Sequence, residues 1–298
     1  MKSTGRAAAC HRLLQGVLLV SAVVSTSCAV SGNPAPVTAP VVEVNSIEDW
    51  HRGMSIVLPD SLAAEFTQLQ AALPGQVGMA LMPVGGDRAT VFGDWTTGIA
   101  WSTIKVPLAV AALRHDQDQS IFEMARAAIT VSDNDAAAEL WESLGDGHEA
   151  ADAVQHVLDE AGTLASDGVG PRTQMDDTSF GSTEWSLVNQ VRFASRLPCL
   201  PQSETVIRLM GEITPEQGWG LGLLDGTEFK GGWGPDDETG VYTVRQFGLV
   251  PVGNGQLAVA LAAQADSGSF ADTTALLDRL ARLLAEHLPE LSGGVCPR

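Results

Sequence analysis

The sequence contains very little lysine. Its 298 residues include only Lys2, Lys105 and Lys230, against 14 arginines. Since arginine supplies nearly every positive charge, a lysine kept in an apolar setting suggests a task that guanidinium cannot perform, such as accepting a proton. Lys105 has such a setting, because it lies within "AWSTIKVPLAVAAL" at 100–113. We therefore expect Lys105 to be functional.

Several kinds of motif and charge are absent as well. There is no Gly-rich phosphate loop, no G-x-S-x-G elbow and no histidine pair with metal-ligand spacing such as H-E-x-x-H. We therefore expect no metal and no cofactor. The net charge is −19, and it becomes −22 without residues 1–28, which hold three cations and no acid. This excess of negative charge would repel nucleic-acid phosphates and anionic membrane surfaces, so we expect no nucleic-acid partner.

The first residues have the pattern of an export signal. Positive charges precede the apolar segment "LLQGVLLVSAVV" at 13–24, which is too short to span a membrane. "STSC" follows and resembles a bacterial lipoprotein box ending at Cys28, although Ser25 stands where Leu or Val is usual. The sequence thus predicts a signal peptide over 1–28, with Cys28 lipidated and the protein anchored at the extracytoplasmic face of the cell membrane. Ordinary secretion with cleavage nearby is the alternative.

The remaining cysteines fit an oxidising compartment. Cys10 belongs to the signal and Cys28 would carry lipid, which leaves Cys199 and Cys296. These two could pair as a disulfide outside the cytoplasm, and two buried free thiols are the alternative.

The pattern along the chain indicates one α+β domain. Residues 29–46 are rich in Pro and small residues and predict an extended tether, after which 47–298 forms the folded body. The predicted strands and the last helix are 75–84, 89–93, 219–226, 228–233, 241–250, 256–264 and 273–288, with a block of helices between the second and third strands. The first two strands are expected to join the late ones in a single sheet.

One candidate motif contains Ser102 and Lys105. Their i, i+3 spacing places both on one face of a helix, where a neutral amine could remove the hydroxyl proton and activate the serine. The apolar residues that follow would desolvate the lysine and lower its pKa. Alone, this spacing is weak, since a helix N-cap beside a surface lysine has the same pattern.

Two further short motifs follow in order. Ser132, Asp133 and Asn134 begin a predicted helix, where a simple helix cap is the alternative. "KGGW" at 230–233 lies in a late strand, where a strand-end lysine before a Gly-rich turn is the alternative. Together, S-x-x-K, S-D-N and a K-[TS]-G-like motif resemble the signature of the penicillin-recognising serine enzymes. The motif starts are 30 and 98 residues apart, as in class A β-lactamases, and the resemblance covers 47–298.

The resemblance implies a fold and a set of catalytic roles. The fold would be an antiparallel sheet flanked by helices, with an inserted all-helical subdomain. Ser102 would attack a carbonyl and form an acyl-enzyme, with Lys105 as its base. Ser132 would pass a proton to the leaving nitrogen, aided by the positive charge of Lys230. Asn134 would hold the side-chain amide of the substrate.

The resemblance also implies substrate-binding residues on the late strands. The backbone N–H groups of Ser102 and Trp233 would form the oxyanion hole, next to Gly232 of the third motif. Arg245, on the following strand, would bind the substrate carboxylate, and an exposed strand residue without such a role is the alternative.

Two departures from the family pattern concern turnover. Gly231 replaces the usual Thr or Ser of the third motif, whose hydroxyl helps to hold the substrate carboxylate. The E-x-x-L-N loop with its deacylating glutamate is missing, and the nearest carboxylates, Asp167 and Asp176, do not match it and are best interpreted as polar loop residues. Loss of a general base costs roughly 10²–10⁴-fold in rate, so we expect deacylation to be slow.

The resemblance therefore predicts an exported serine hydrolase that forms an acyl-enzyme with β-lactams or with the D-Ala-D-Ala ends of peptidoglycan peptides. The alternative is a catalytically weak or inactive cell-envelope lipoprotein that serves as a binding or scaffold protein.

Overall fold

A computed structural model describes residues 42–44, 59–162, 175 and 180–297. The predicted signal peptide, Cys28 and most of the predicted tether lie outside these residues. Within the described ranges, no helix combines the length and the apolar character needed to cross a bilayer.

Six antiparallel strands form the central sheet in the order β1-β3-β2-β8-β7-β6, and two short strands, β4 and β5, pair separately. The strands are β1 Val42–Val44, β2 Gly75–Pro83, β3 Ala89–Gly93, β4 Thr97–Ile99, β5 Glu184–Ser186, β6 Glu228–Pro235, β7 Tyr242–Val252 and β8 Gly255–Ala265. β2 pairs with β8 along its whole length, from Gly75 opposite Ala265 to Pro83 opposite Leu257. The prediction that the first strands join the late ones in one sheet is confirmed.

Eight helices of the described residues flank this sheet. They are α1 Asp60–Ala72, α2 Lys105–His115, α3 Gln119–Thr130, α4 Asn134–Glu142, α5 Gly147–Glu160, α6 Leu187–Arg196, α7 Glu204–Met210 and α8 Phe270–His287. α1 and α8 pack together on one face, and α6 packs on the other. Helices α2 to α5 and α7 pack mainly against one another. They form the inserted helical subdomain that the resemblance implied.

The alternation of large and small residues on β8 sets how the two faces are covered. Val259 and Leu261 belong to the apolar core shared with α8. Ala258, Ala260 and Ala262 belong to the other core, which continues into the helical subdomain. Since successive side chains of a strand point to opposite faces, the alanines let α6 lie close to the sheet.

Three parts of the secondary-structure prediction differ from the structure. The predicted strand 219–226 is instead a 3-10 helix, Gly220–Leu223, because the Leu221 N–H bonds to the side chain of Gln246 (2.8 Å) and not to a strand. Val42–Val44, placed by the sequence in the tether, pairs with β3. Helix α7 and strands β4 and β5 were not predicted, since all three are short, and the residues of β5 were expected in the helix that follows.

A disulfide joins Cys199 to Cys296, whose Cα atoms are 5.4 Å apart. It links the 3-10 helix Leu197–Cys199, which follows α6, to the C-terminal segment. That segment also pairs with the start of β8, where Gln256 and Gly294 form an isolated bridge. The C-terminal segment is therefore fixed both to the sheet and to the end of α6.

Candidate active site

The three sequence motifs meet at one cavity of about 420 Å³. It lies where edge strand β6 faces the 3-10 helix Trp101–Ile104 and the start of α4. Ser102, Lys105 and Asn134 line it, together with Trp233. Ser132 and Lys230 connect to these residues through hydrogen bonds. Hydrogen bonds thus connect residues of the second and third motifs, and of the first and second, that are far apart in the sequence.

Lys105 connects the first motif to the second. Its Nζ donates to the backbone oxygen atoms of Ser132 (2.7 Å) and Asp133 (3.1 Å) and to Oδ1 of Asn134 (2.6 Å). The residue is buried on α2, and these three acceptors match the three N–H groups of an ammonium. The Asp133 carboxylate meanwhile accepts from the Ala136 N–H (3.0 Å) and caps α4.

Ser102 is half-buried at the cavity and, within the described ranges, its hydroxyl makes no hydrogen bond to Lys105. The sequence had predicted that bond. The reason lies in competition, because the three oxygen atoms of the second motif take all the donors of the lysine. A neutral amine has two N–H groups and one lone pair, so loss of a proton would free the lone pair to accept from a hydroxyl.

Burial lowers the pKa of Lys105 to about 8, and the Asp133 carboxylate opposes part of this shift. Desolvation disfavours the ammonium, since a charge is poorly stabilised away from water. At pH 7 about one lysine in ten is then neutral. The group is therefore charged at rest, with an accessible neutral form that can act as a base.

Lys230 lies on β6 and is fully buried. Its Nζ donates to Oγ of Ser132 (2.9 Å) and to the carbonyl oxygen of Gly231 (2.8 Å). Burial, and secondarily the charge of Lys105, hold the pKa of Lys230 well below its usual range. Lys230 therefore holds the hydroxyl of Ser132, and its role as a positive charge beside that hydroxyl stays a prediction.

Two residues of the site have strained backbone. Trp101, just before Ser102, has φ of 50°, and Ser132 has φ of 62°. A non-glycine residue in this left-handed region costs on the order of 1–3 kcal/mol and is often found at functional sites. The hydrogen bonds at Lys105 and Lys230 hold Ser132 in this conformation from both sides.

Gly232 allows β6 to approach the nucleophile closely. A Cβ atom at this position would lie 2.9 Å from the backbone nitrogen atoms of both Ser102 and Thr103. Any larger residue would push the 3-10 helix away from the strand. The Ser102 N–H therefore lies against β6, as an oxyanion hole shared with Trp233 requires, and the contribution of the Trp233 N–H stays a prediction.

The carboxylate-binding role predicted for Arg245 is wrong. The side chain is fully buried, and all five N–H groups are used. They bond to Gln190 and to the backbone oxygen atoms of Gly98, Ile99 and Trp185, at 2.9–3.3 Å. The reason is register: Arg245 lies opposite Gly232, so it points beneath the segment that carries the nucleophile and away from the substrate.

Arg245 instead positions the nucleophile segment. Gln190 receives two of its N–H groups and donates to Oγ1 of Thr103 (3.0 Å), next to Ser102. The guanidinium also lies 5.1 Å from the ring centroid of Trp95, a cation–π contact. Burial lowers its pKa to about 9, which leaves it charged at pH 7, and no carboxylate of the described residues pairs with it.

The described residues supply no deacylating carboxylate at this cavity. No Asp or Glu of the described residues lines it. The lining residues between α5 and α6 are Phe180, Gly181 and Ser182. Asp167 and Asp176 lie outside the residues that the structure describes.

The structure adds aromatic residues that the sequence did not indicate. Trp101, Phe180 and Tyr242 line the cavity beside Trp233. Trp101 directly precedes the nucleophile, and Tyr242 is the only tyrosine of the chain. Their spacing carries no motif, so only the fold could bring them together.

Comparison with known proteins gives a fold. Neither the protein-family models nor the curated proteins provide a match. Solved structures do, among them the TLA-1 extended-spectrum β-lactamase, 15% identical over 77% of this chain and 98% of that one, with a TM-score of 0.60. A class A β-lactamase from Bacteroides cellulosilyticus is 16% identical over 77% and 97%, with a TM-score of 0.61. A putative class A β-lactamase from Rhodopseudomonas palustris, PenP, is 18% identical over 76% and 99%, with a TM-score of 0.58.

The chain has the class A β-lactamase fold. The match extends over nearly the whole of each neighbouring chain, so the helical subdomain and the sheet are both included. At sequence identities of 15–18%, the similarity establishes the fold and no more. Within that fold, the three motifs lie together at the edge of the sheet, as the sequence resemblance implied.

If Lys105 is the base, the rate of Ser102 acylation should follow its neutral form. The pKa is lowered to about 8, so the neutral fraction rises about fiftyfold between pH 6 and pH 8 and levels off above. Measuring the acylation rate across pH 5.5–10 with a reactive acyl donor should give this profile. Lys105→Arg cannot lose its proton and should be slower by about 10²–10⁴-fold at every pH. A wild-type rate independent of pH would contradict the assignment.

If Arg245 is a positioning residue, its removal should destabilise the fold. Arg245→Ala would remove the hydrogen bonds that the buried guanidinium donates to Gln190 and to the carbonyl oxygens of three residues, and should lower the free energy of unfolding by about 3 kcal/mol or more. Arg196→Ala is a matched control, because Arg196 makes a half-exposed ion pair with Asp87 and should cost under about 1 kcal/mol. Urea unfolding measures both. Equal stability of the two variants would contradict this role.

Proposed function

We propose that this protein is a serine hydrolase that forms an acyl-enzyme on Ser102. The observation that carries the proposal is the convergence of Ser102, Lys105, Asn134 and the pair Ser132–Lys230 at one cavity. Such a cluster supplies a nucleophile, a base and a proton donor, which are the groups that acyl transfer needs.

The first half of the reaction forms the acyl-enzyme. Ser102 Oγ attacks the carbonyl carbon of the substrate while its proton passes to the neutral amine of Lys105. The oxyanion is stabilised by backbone N–H groups beside Gly232. As the bond to the leaving group breaks, Ser132 gives its proton to the departing atom and receives one from Lys230, which lies 2.9 Å away.

The second half returns the enzyme to its starting state. Water attacks the ester on Ser102 and gives one proton through Ser132 to Lys230. As the acid product leaves, Ser102 Oγ takes back the proton held by Lys105, and the hydroxyl is restored. Since no carboxylate of the described residues lines the cavity, we propose that this step is slow and that the acyl-enzyme accumulates.

β-Lactams and D-Ala-D-Ala-type peptides of the cell wall are the acyl donors to test first. Support comes from the β-lactamase names of the structural neighbours and from the three motifs. Asn134 keeps its amide N–H groups for the substrate, because its Oδ1 is held by Lys105.

A second candidate function is a cell-envelope binding or scaffold protein of the same fold. It is favoured by two observations on the described residues: Ser102 makes no hydrogen bond to its proposed base, and no carboxylate lines the cavity. Against it stands the depressed pKa of Lys105, which a scaffold does not require.

Intact-mass measurement with benzylpenicillin distinguishes the two functions. We expect a covalent adduct of the full mass of the penicillin, which persists for many minutes and is lost in Ser102→Ala. Rapid consumption of the penicillin without an adduct would show fast deacylation and contradict the slow step. Absence of both adduct and consumption would favour the scaffold.

We also propose that the protein is exported and anchored by lipid on Cys28, on the basis of the signal-like residues 1–28. Cells fed an alkyne fatty acid should label the wild type in the membrane fraction. Cys28→Ser should lose the label, while Cys10→Ser is a matched control that keeps it. Equal labelling of all three proteins would contradict the proposal.

A further inference from the structure

Aromatic rings cover the face of β6 on which the third motif would hold a carboxylate. Gly231 occupies the place of the usual Thr or Ser and is itself buried. A Cβ atom there would lie 3.1 Å from Cη2 of Trp219 and 3.7 Å from Cζ3 of Trp233. The space that a carboxylate-binding hydroxyl would need is therefore occupied by indole.

These two rings belong to a larger cluster. Trp219 and Trp233 pack edge to face at 5.9 Å, and Phe270 lies 5.7 Å from Trp233 and 5.8 Å from Tyr242. Trp233 and Tyr242 extend the cluster to the cavity. The six-membered ring of Trp101, which also lines the cavity, lies against Gly234 of the same strand. Aromatic side chains thus make up part of the cavity lining, and such surfaces suit an apolar ring of a substrate.

Among the described residues, the cations near the cavity already bond to other groups of the protein. Arg245 gives all five N–H groups to the fold, and Lys230 is fully buried on Ser132 and Gly231. Lys105, the only cation among the described residues that line the cavity, is held by three oxygen atoms. No side chain of the described lining remains to neutralise a substrate carboxylate.

The surface beside the opening has the opposite charge. Pro235 lines the cavity, and the turn that follows it carries the exposed acids Asp236, Asp237 and Glu238. Asp236 is held ionised, since hydrogen bonds from Thr239 lower its pKa. These carboxylates would repel an anionic acyl donor as it approaches.

We propose that the site reacts with neutral esters or amides that carry an aromatic or other apolar ring, and disfavours donors with a carboxylate next to the scissile bond. The proposal rests on acyl transfer by Ser102 and concerns its substrate class. The bond from the carbonyl carbon to the leaving nitrogen or oxygen breaks as the bond to Ser102 Oγ forms. The Ser102 proton passes to the neutral amine of Lys105, and the leaving atom takes a proton from Ser132, which Lys230 replaces. Water later releases the acid.

Benzylpenicillin and its methyl ester form a matched pair, since they differ only in the carboxylate. We expect the second-order rate of adduct formation on wild-type protein to be at least about tenfold higher for the ester, after each rate is divided by its rate with hydroxide. Intact mass measures both adducts, and Ser102→Ala should abolish both.

A charge variant tests the acidic turn. The double variant Asp237→Asn with Glu238→Gln should raise the rate of adduct formation with benzylpenicillin about twofold or more at low salt. The rate with the methyl ester should stay unchanged. Asp225→Asn with Glu286→Gln removes as much charge elsewhere and should leave the ratio of the two rates as in the wild type.

The outcomes separate this inference from the proposed function. A rate for the acid equal to or above that of the ester, with adducts on Ser102, overturns the neutral-substrate inference and leaves acyl transfer intact. Absence of adducts from both compounds overturns acyl transfer, and this inference with it.

Discussion

The three hydrogen bonds of the Lys105 ammonium are the interaction on which the site depends. They fix the start of α4 to the start of α2 and hold Ser132 at its strained φ, where Lys230 can reach its hydroxyl. The same bonds keep the amine occupied while it is charged. Loss of the proton therefore changes both the chemistry and the hydrogen bonding of the site, since a neutral amine can satisfy only two of the three acceptors.

The second constraint is the close approach of β6 to the nucleophile. Gly232 permits it, and Arg245, its neighbour in the sheet, supports the same segment from below through Gln190. An arginine that could bind substrate if it were exposed instead supports the fold when it is buried and all its N–H groups are bonded. In this chain the sheet face beneath Ser102 is thus structural, while the opposite face, under Trp219, is aromatic.

The motifs predicted the placement of Ser102, Lys105, Asn134 and Lys230, because their chemistry and order are distinctive. The meander of β6, β7 and β8 was also predictable, since short turns join these strands. The role of Arg245 was not predictable, because the sequence indicates the strand on which it lies but not the hydrogen-bond partners of its buried guanidinium. Nor could spacing indicate the cluster of Trp219, Trp233 and Phe270, which only the packing of α8 against the sheet brings together.

The pairing of β2 with β8 has a consequence for how the chain acquires its structure. The second strand of the sheet finds its longest partner almost two hundred residues later, from Gly255 to Ala265. A nascent chain still on the ribosome lacks that partner, so its early apolar strand has nowhere to pair. Closure of the sheet must follow synthesis of β8, and contacts of such separation make folding slow.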